Sequence, residues 1–403
     1  MRRNNLVVAT VSSHHAECCG CSACHDACPK HCITMQADDD GFKYPIFDSL
    51  ACIDCGLCDK VCPIKHSYIE KMPITTLAVK NKNEAIRLRS SSGGFFYALA
   101  ELVIIQKKGF VFGACFDERW NVRIDCTDSI EGIKKFMGAK YVQADVNESC
   151  MKVKHFLQEG QWVLFTGLPC QISGLNHFLG KDYEKLITAE CVCHSVPSPK
   201  VWNHYVEAIA RGRNITNVNF RNKDTGWSHY GYQMVIDFET GSAFKTPSSC
   251  VYMQGLVQNL TTRPSCSECM MKNGRSHVDF SMGDYWGVWD LHKKMDDDKG
   301  MSIVVVHTQK ALDIISSLNI EADPVDLEDA KKYNSGLSGK STPLHKNYRE
   351  FFRSLDKEPM DKLLSRYLND ARPTFRAFVR RILNNNGLQI IKKELIEKLI
   401  GRS

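Results

Sequence analysis

The chain has 403 residues, 43% of them hydrophobic and 24% charged, so it can bury a sizeable core and lacks the composition of a disordered protein. No run of 18 or more apolar residues is present, which excludes a predicted transmembrane helix. The net charge is +6, but residues 361–403 hold ten Lys/Arg and four Asp/Glu. The rest is formally neutral, which argues against a nucleic-acid-binding fold.

The N-terminus and the cysteine content together predict a cytoplasmic protein. Residues 1–16 are polar and expected to be flexible, and the apolar run at 6–9 is too short for a secretory signal. Cytoplasmic proteins keep their thiols reduced. Nineteen cysteines therefore predict metal sites or catalysis rather than disulfides.

Residues 17–68 carry ten of these cysteines and little apolar periodicity. This segment cannot build a conventional core, so it needs another stabilising group, such as a bound cluster. Two runs of the form Cys-x2-Cys-x2-Cys-x3-Cys-Pro start 34 residues apart, at Cys18 and Cys52. In bacterial ferredoxins three cysteines of one run and the last cysteine of the other hold each 4Fe-4S cluster. The spacing assigns Cys18, Cys21, Cys24 and Cys62 to cluster one, and Cys52, Cys55, Cys58 and Cys28 to cluster two.

Two other interpretations of these runs are open. Cys-x2-Cys pairs also form zinc sites, but two complete four-cysteine runs, each followed by proline, favour clusters. Purely structural clusters are the second alternative, and paired clusters are more typical of an electron relay. Cys19 and Cys32 have no predicted role.

Beyond the cysteine-rich segment the sequence predicts a mixed α/β domain, because strands alternate with helical stretches. Residues 255–290 are expected to form loops around a site. A basic amphipathic helix is predicted near the end of the chain, where a packed helix is the simplest interpretation. Strands are predicted at 75–79, 110–114, 162–165 and 303–306, and an apolar helix at 95–106.

Several motifs of this second part resemble the beta-subunit family of coenzyme F420 hydrogenases and dehydrogenases. Together with the ferredoxin runs the resemblance covers roughly residues 17–330. It implies an iron–sulfur flavoprotein that binds FAD. The matching segments are Ser91 to Phe95, Phe136 to Gln143, Thr166 to Gln171, Cys193 to Pro199, Cys266-x2-Cys269 and Gly283 to Gly287.

The resemblance also implies a third 4Fe-4S cluster. Four thiolates are the number that such a cluster needs, but three separate segments must converge to supply them. Buried cysteines acting as small hydrophobic residues are the alternative, and Cys191 could substitute for Cys193. The matching cysteines are Cys170, Cys193, Cys266 and Cys269.

Candidate flavin contacts fall in two segments. Ser91, Ser92, Gly93 and Gly94 precede an apolar helix, and backbone N–H groups there suit a pyrophosphate, although a plain helix cap is the commoner use. Lys140, Tyr141 and Gln143 are predicted to line the flavin, with Lys140 stabilising an anionic reduced ring; the alternative is a surface lysine beside a strand tyrosine. The catalytic residues are unknown.

Electron counting gives the predicted function. A 4Fe-4S cluster carries one electron, whereas chemistry on an organic substrate or coenzyme needs a group, such as a flavin, that collects two. We therefore expect an oxidoreductase that receives electrons from a redox partner protein such as ferredoxin. The alternative is an adapter subunit of a larger complex with no substrate of its own.

The predicted fold class is α+β: a ferredoxin-like domain, a mixed α/β flavin-binding core and a helical C-terminal tail. The expected units are a flexible N-terminus (1–16), a dicluster ferredoxin domain (17–68), regions like the N- and C-terminal parts of the beta subunit (76–155 and 156–335), and a basic helical tail (343–403).

Overall fold

The computed structural model describes residues 16–67, 72–247, 249–341 and 343–368, which form a mixed α+β structure. Short 3₁₀ segments lie at Pro63–Lys65, Ser228–Tyr230, Pro264–Glu268 and Ser335–Ser338, and a π-helical turn at Leu102–Gln106. The strands are β1 Ile33–Ala37, β2 Lys43–Phe47, β3 Thr75–Asn81, β4 Phe110–Phe116, β5 Val122–Thr127, β6 Val163–Gly167, β7 Leu186–Cys191, β8 Ile215–Asn222, β9 Gln233–Phe238, β10 Gly241–Lys245, β11 Phe280–Asp284, β12 Ser302–Val306 and β13 Ile320–Pro324. The α-helices are α1 Ala23–Ala27, α2 Leu57–Lys60, α3 Glu84–Arg89, α4 Phe95–Glu101, α5 Ile130–Lys134, α6 Ser149–Gln158, α7 Pro169–Leu179, α8 Pro199–Ala210, α9 Val251–Val257, α10 Val288–Leu291, α11 Gln309–Ile315, α12 Leu327–Tyr333, α13 Tyr348–Phe352 and α14 Met360–Tyr367.

An eight-stranded sheet forms the centre of the molecule, in the order β13-β3-β12-β11-β7-β6-β4-β5. The four central strands β11, β7, β6 and β4 are parallel, and the flanking pairs are antiparallel. All four strands predicted from the sequence belong to this sheet. Because the carboxyl ends of parallel strands meet at one edge, that edge is where a ligand crevice is expected.

Side-chain alternation along the central strands builds a core on each face of the sheet. In β4, Val111 packs on one face with Leu164 of β6, whereas Phe112 packs on the other with Phe165. Helix α4 covers the first face. The predicted helix over 95–106 is confirmed, with its last turn π-helical rather than α-helical.

The ferredoxin region consists of two short helices, α1 and α2, and the antiparallel β1–β2 hairpin. It packs directly on α7 of the central domain at Gly174. A Cβ atom at Gly174 would lie 2.8 Å from Cys21 Sγ, so the absence of a side chain permits this contact. The Asp26 carboxylate accepts a hydrogen bond from the Cys150 backbone N–H at the start of α6.

At the C-terminal end, α13 and α14 follow the central domain, and α14 packs against α8 and α9. The predicted basic helix lies beyond residue 368, and the predicted flexible N-terminus is almost wholly residues 1–15, so both fall outside the described residues. None of the helices in the described ranges is long and apolar enough to cross a membrane.

Candidate cluster and cofactor sites

The two cysteine runs of the ferredoxin region adopt the same backbone geometry. The residue before each short helix is left-handed, Ser22 with φ 62° and Gly56 with φ 70°. The last cysteine of each run is extended, with φ/ψ of −76°/110° at Cys28 and −75°/114° at Cys62. Equal spacing thus produces equal loops, as expected of a duplicated half-domain.

Thiols of both cysteine runs lie close together. Cys24 is in electrostatic range of Cys18 and Cys62, and also of Cys58, and Cys62 is in range of Cys18. Cys24 and Cys28 share one buried cluster with Cys52 and Cys58. Eight cysteines are the number that two 4Fe-4S clusters require, and their division between the two clusters stays a prediction.

Cys32 extends the second group. Its thiol lies 3.3 Å from Cys28 Sγ and is in electrostatic range of the Cys52 thiol. Among the described residues no group of three or more His, Cys, Asp or Glu side chains is placed to hold a metal ion.

The four cysteines predicted for a third cluster come together from three segments. Cys170 begins α7, Cys193 follows β7, and Cys266 and Cys269 lie in and after the Pro264–Glu268 turn. The Cys170 thiol is in electrostatic range of Cys193 and Cys269, and that of Cys193 is in range of Cys266. Burial raises the pKa of the Cys266 thiol to about 11, which a bound cation would reverse.

Cys191 has different neighbours from Cys193. The charges that act on its thiol are those of Glu190, Lys140 and Asp284 rather than Cys266 or Cys269, and desolvation raises its pKa to about 11. Both Cys191 and Cys193 line the large cavity described below.

Two residues between the cysteine groups had no predicted role. Interactions with Cys170 of the third group and Cys21 of the first hold the pKa of the Cys19 thiol well below its usual value. Arg263 is fully buried, and its guanidinium contacts the ferredoxin region. The sequence contained one signal for Arg263, its position three residues before Cys266.

A cavity of about 1820 Å³ opens at the carboxyl ends of the parallel strands. Thr166 and Gly167 of β6, Cys191 of β7, and Gly283 and Asp284 of β11 line it. Its volume exceeds the roughly 300–1,000 Å³ of common ligand pockets. The cavity is therefore large enough for a dinucleotide together with a second molecule.

Most of the predicted flavin contacts line this cavity: Ser91, Ser92, Gly94, Lys140 and Tyr141. Gly93 and Gln143 are not among the lining residues. The Gly93 N–H donates to Ser302 Oγ. The Gln143 amide contacts Cys19 O and Arg263 at the junction with the ferredoxin region.

Lys140 is partly buried in the cavity wall, and its Nζ donates to the carbonyls of Met137 and Gly138 at 2.9 and 3.2 Å. Burial lowers the pKa of Lys140 to about 8. The Ser91 Oγ accepts a hydrogen bond from the Ala139 N–H, which ties the two predicted flavin-contact segments together.

A buried ion pair lies at the end of β11. Arg221 forms a two-bond fork with Asp284 at 2.8 and 2.9 Å, and also donates to Tyr141 Oη. Although burial opposes it, the Asp284 carboxylate raises the pKa of Arg221 above its usual value. Asp284 falls within one of the family-like sequence segments, whereas Arg221 falls in none.

Aromatic side chains cover the wall beside this ion pair. The Trp286 ring stacks on Trp227 with centroids 4.9 Å apart, and Tyr230 packs against it at 4.8 Å. His229 and Tyr230 both have positive φ, an uncommon pair of conformations that is typical of functional sites. This wall suits a planar ring.

Comparison with protein families gives two matches. Residues 17–65 match the 4Fe-4S dicluster domain. Residues 160–332 match the family that comprises the C terminus of the coenzyme F420 hydrogenase/dehydrogenase beta subunit, which supports the predicted resemblance.

Curated relatives fall in the same two regions. NADH-quinone oxidoreductase subunit I 2 of Geobacter metallireducens is 40% identical over 60 residues, 13% of this chain and 45% of that protein. A subunit of the F420H2 dehydrogenase of Methanosarcina mazei is 22% identical over 186 residues, 43% of this chain and 51% of that protein. An uncharacterized ferredoxin of Methanocaldococcus jannaschii is 38% identical over 54 residues, 13% of this chain and 69% of that protein. The chain thus spans about half the length of the first two.

Among solved structures, the F420-reducing [NiFe] hydrogenase complex from Methanosarcina barkeri contains a chain with 18% identity and a TM-score of 0.45. The match covers 74% of this chain and 94% of that one. This likeness is too distant to carry a functional argument.

Proposed function

Because the chain joins a 4Fe-4S ferredoxin domain to a region related to the coenzyme F420 hydrogenase/dehydrogenase beta subunit, we propose that it is an iron–sulfur flavoprotein oxidoreductase. It relays single electrons through three 4Fe-4S clusters to FAD, which reduces an organic substrate or coenzyme. A protein partner such as ferredoxin, or another subunit of an oxidoreductase complex, supplies the electrons.

The observation that carries this proposal is the continuity of the three sites. The Cys19 thiol interacts with one cysteine of the first group and one of the third, and these interactions lower its pKa. Cys193, of the third group, also lines the cavity. This succession of neighbouring groups supports an electron path from the ferredoxin domain to the cavity.

Bound FAD would collect two electrons and pass them on as a pair. The chain's own residues support that chemistry. Lys140 presents a partly buried ammonium group to the cavity, where a positive charge favours an anionic reduced ring. Ser91 and Ser92 offer hydroxyl groups at the same cavity, and the wall formed by Trp286 and Tyr230 suits the ring of the substrate.

Iron content after exchange of a single cysteine tests the third cluster. The full chain, reconstituted anaerobically with iron and sulfide, is expected to hold about twelve iron atoms. Cys193→Ser should lower this to about eight. Cys191→Ser is the matched control, two residues away in the same cavity wall, and should keep the full content. About eight iron atoms in the wild type would contradict the third cluster.

An exposed apolar surface around the second cysteine group favours a second candidate function, an adapter subunit without its own substrate. Cys55 is exposed there, and Leu50 and Ile53 keep 95% and 55% of their surface accessible. Apolar residues grouped at a redox site are typical of a docking surface. The adapter alternative predicts a stably co-purifying oxidoreductase partner and no reductase activity in isolation.

A further inference from the structure

Arg263 is a buried cation at the junction between the ferredoxin region and the central domain. Its side chain is completely inaccessible to solvent. The guanidinium donates to the carbonyls of Cys18 and Lys43 at 2.8 and 3.0 Å, and to Gln143 Oε1 at 3.0 Å. It also lies over the Tyr44 ring, 4.1 Å from the centroid. Every one of these partners is neutral.

No carboxylate in the described part of the chain lies within ion-pair distance of Arg263. An arginine remains charged in a protein interior, and a buried charge without a counter-charge has a large free-energy cost. The buried Arg221, by contrast, is paired with an aspartate, Asp284. Arg263 therefore needs a nearby negative charge that comes from groups other than carboxylates.

Cysteines bound to a cluster would be thiolates, and those of the two neighbouring groups would supply this negative charge. The charge of Arg263 acts on Cys18 of the first group and on Cys266 of the third. Cys19, which bridges the two groups, is under the same influence. Gly20 leaves room for this approach, since a Cβ atom there would lie 3.0 Å from Arg263 Nη1.

Arg263 contacts both the third cysteine group and the ferredoxin region. Its carbonyl accepts a hydrogen bond from the Cys266 N–H at 3.0 Å, so it forms part of the loop that carries Cys266 and Cys269. Its side chain reaches the opposite partner, the loop that contains Cys18. One residue thus joins the two cysteine groups both mechanically and electrostatically.

We propose that Arg263 supplies the positive charge that stabilises the reduced state of the clusters on either side of it, and so raises their reduction potentials. This role rests on the proposed function, because it requires clusters at both groups. Gaining one electron makes a thiolate-bound cluster more negative by one charge, and nearby charge is one of the factors that set its potential. When an electron moves from cluster one to the third cluster, the extra negative charge stays close to Arg263 at both positions.

The test is an EPR-monitored redox titration of the reconstituted full chain. Arg263→Gln should shift the one-electron equilibrium of cluster one toward the oxidised state by about tenfold or more, which corresponds to about 59 mV. Arg263→Lys keeps the charge and should shift it much less. Arg213→Gln is the matched control, because Arg213 also bonds backbone carbonyls and stacks on an aromatic ring, that of Phe238.

Gln143→Glu provides a second variant if Arg263→Gln retains too little iron. It places a carboxylate beside the guanidinium and neutralises it while Arg263 itself stays in place. A lowered potential in this variant supports the proposal. Unchanged potentials in both variants overturn it, as does an equal fall in Arg263→Lys, which would indicate geometry rather than charge. Wild-type protein that binds no iron would instead refute the proposed function.

Discussion

Lys140 is the residue at which pH should act on the cavity. Desolvation of its ammonium group lowers the pKa of Lys140 to about 8, while the thiols of Cys115 and Cys191 favour the charged form. Below pH 8 the group is therefore mostly charged, and above pH 8 it is mostly neutral. Any support that Lys140 gives to an anionic reduced flavin is present at the lower pH and lost as the pH rises.

We expect the affinity for reduced FAD to fall on the order of tenfold from pH 7 to pH 9. Lys140→Arg should flatten this dependence, because arginine stays charged throughout the range. Lys140→Met should also flatten the pH dependence, and its affinity for reduced FAD should equal the weaker affinity of wild type at high pH. Anaerobic binding titrations at several pH values measure the effect. An identical pH dependence in all three proteins would show that another group is responsible.

The sequence predicts residues of this site where they occur in spaced motifs and fails where single residues meet through the fold. The eight ferredoxin cysteines have a spacing that short loops impose on cluster ligands. Arg221 and Arg263 belong to no such spaced motif, since the hydrogen-bond partners of the Arg263 side chain are 120 or more positions away. Their environment arises only from tertiary packing.

At the scale of elements, the contact between α1 and α7 holds the ferredoxin region on the central domain. Gly174 lies in the middle of α7, a position where glycine normally costs helix stability relative to alanine. The close approach of Cys21 explains its use here, because a Cβ atom would lie 2.8 Å from Sγ and 2.9 Å from Cβ of Cys21.

Gly174→Val should therefore lower the free energy of unfolding by about 1–3 kcal/mol through overpacking, and reduce iron retention at the first cysteine group. Gly255→Val is the control, at a buried helical glycine whose added Cβ would lie 3.1 Å from its nearest neighbour, Thr261 Cγ2, rather than 2.8 Å. Thermal unfolding and iron analysis of both variants provide the comparison. Equal stability and iron content in the two would show that the contact with Cys21 is unimportant.

The elements themselves follow largely from local sequence. Predicted strands at 75–79, 110–114, 162–165 and 303–306 appear because continuous apolar runs suit strands covered on both faces. The order of the strands in the sheet could not be predicted from local sequence, since β3 pairs with β12 and β13, more than 200 positions later. Such long-range pairing is not encoded in local periodicity.

At the scale of the whole molecule, the topology explains why cysteines from distant segments meet beside the cavity. Cys191 and Cys193 lie at and just after the carboxyl end of β7, and Cys170 follows that of β6. Neighbouring parallel strands end at the same edge of the sheet, which is where α/β proteins bind ligands. The ferredoxin region packs on the helix that starts at this edge, so its cysteines join the same site.

A reductive titration of the reconstituted protein tests whether one chain holds three clusters and one flavin, because it measures the number of electrons taken up. Each cluster accepts one electron and FAD accepts two, so we expect uptake of about five electrons per chain. Uptake of about two electrons per chain, with no flavin absorbance to bleach, would contradict it and leave only the ferredoxin domain as a redox unit.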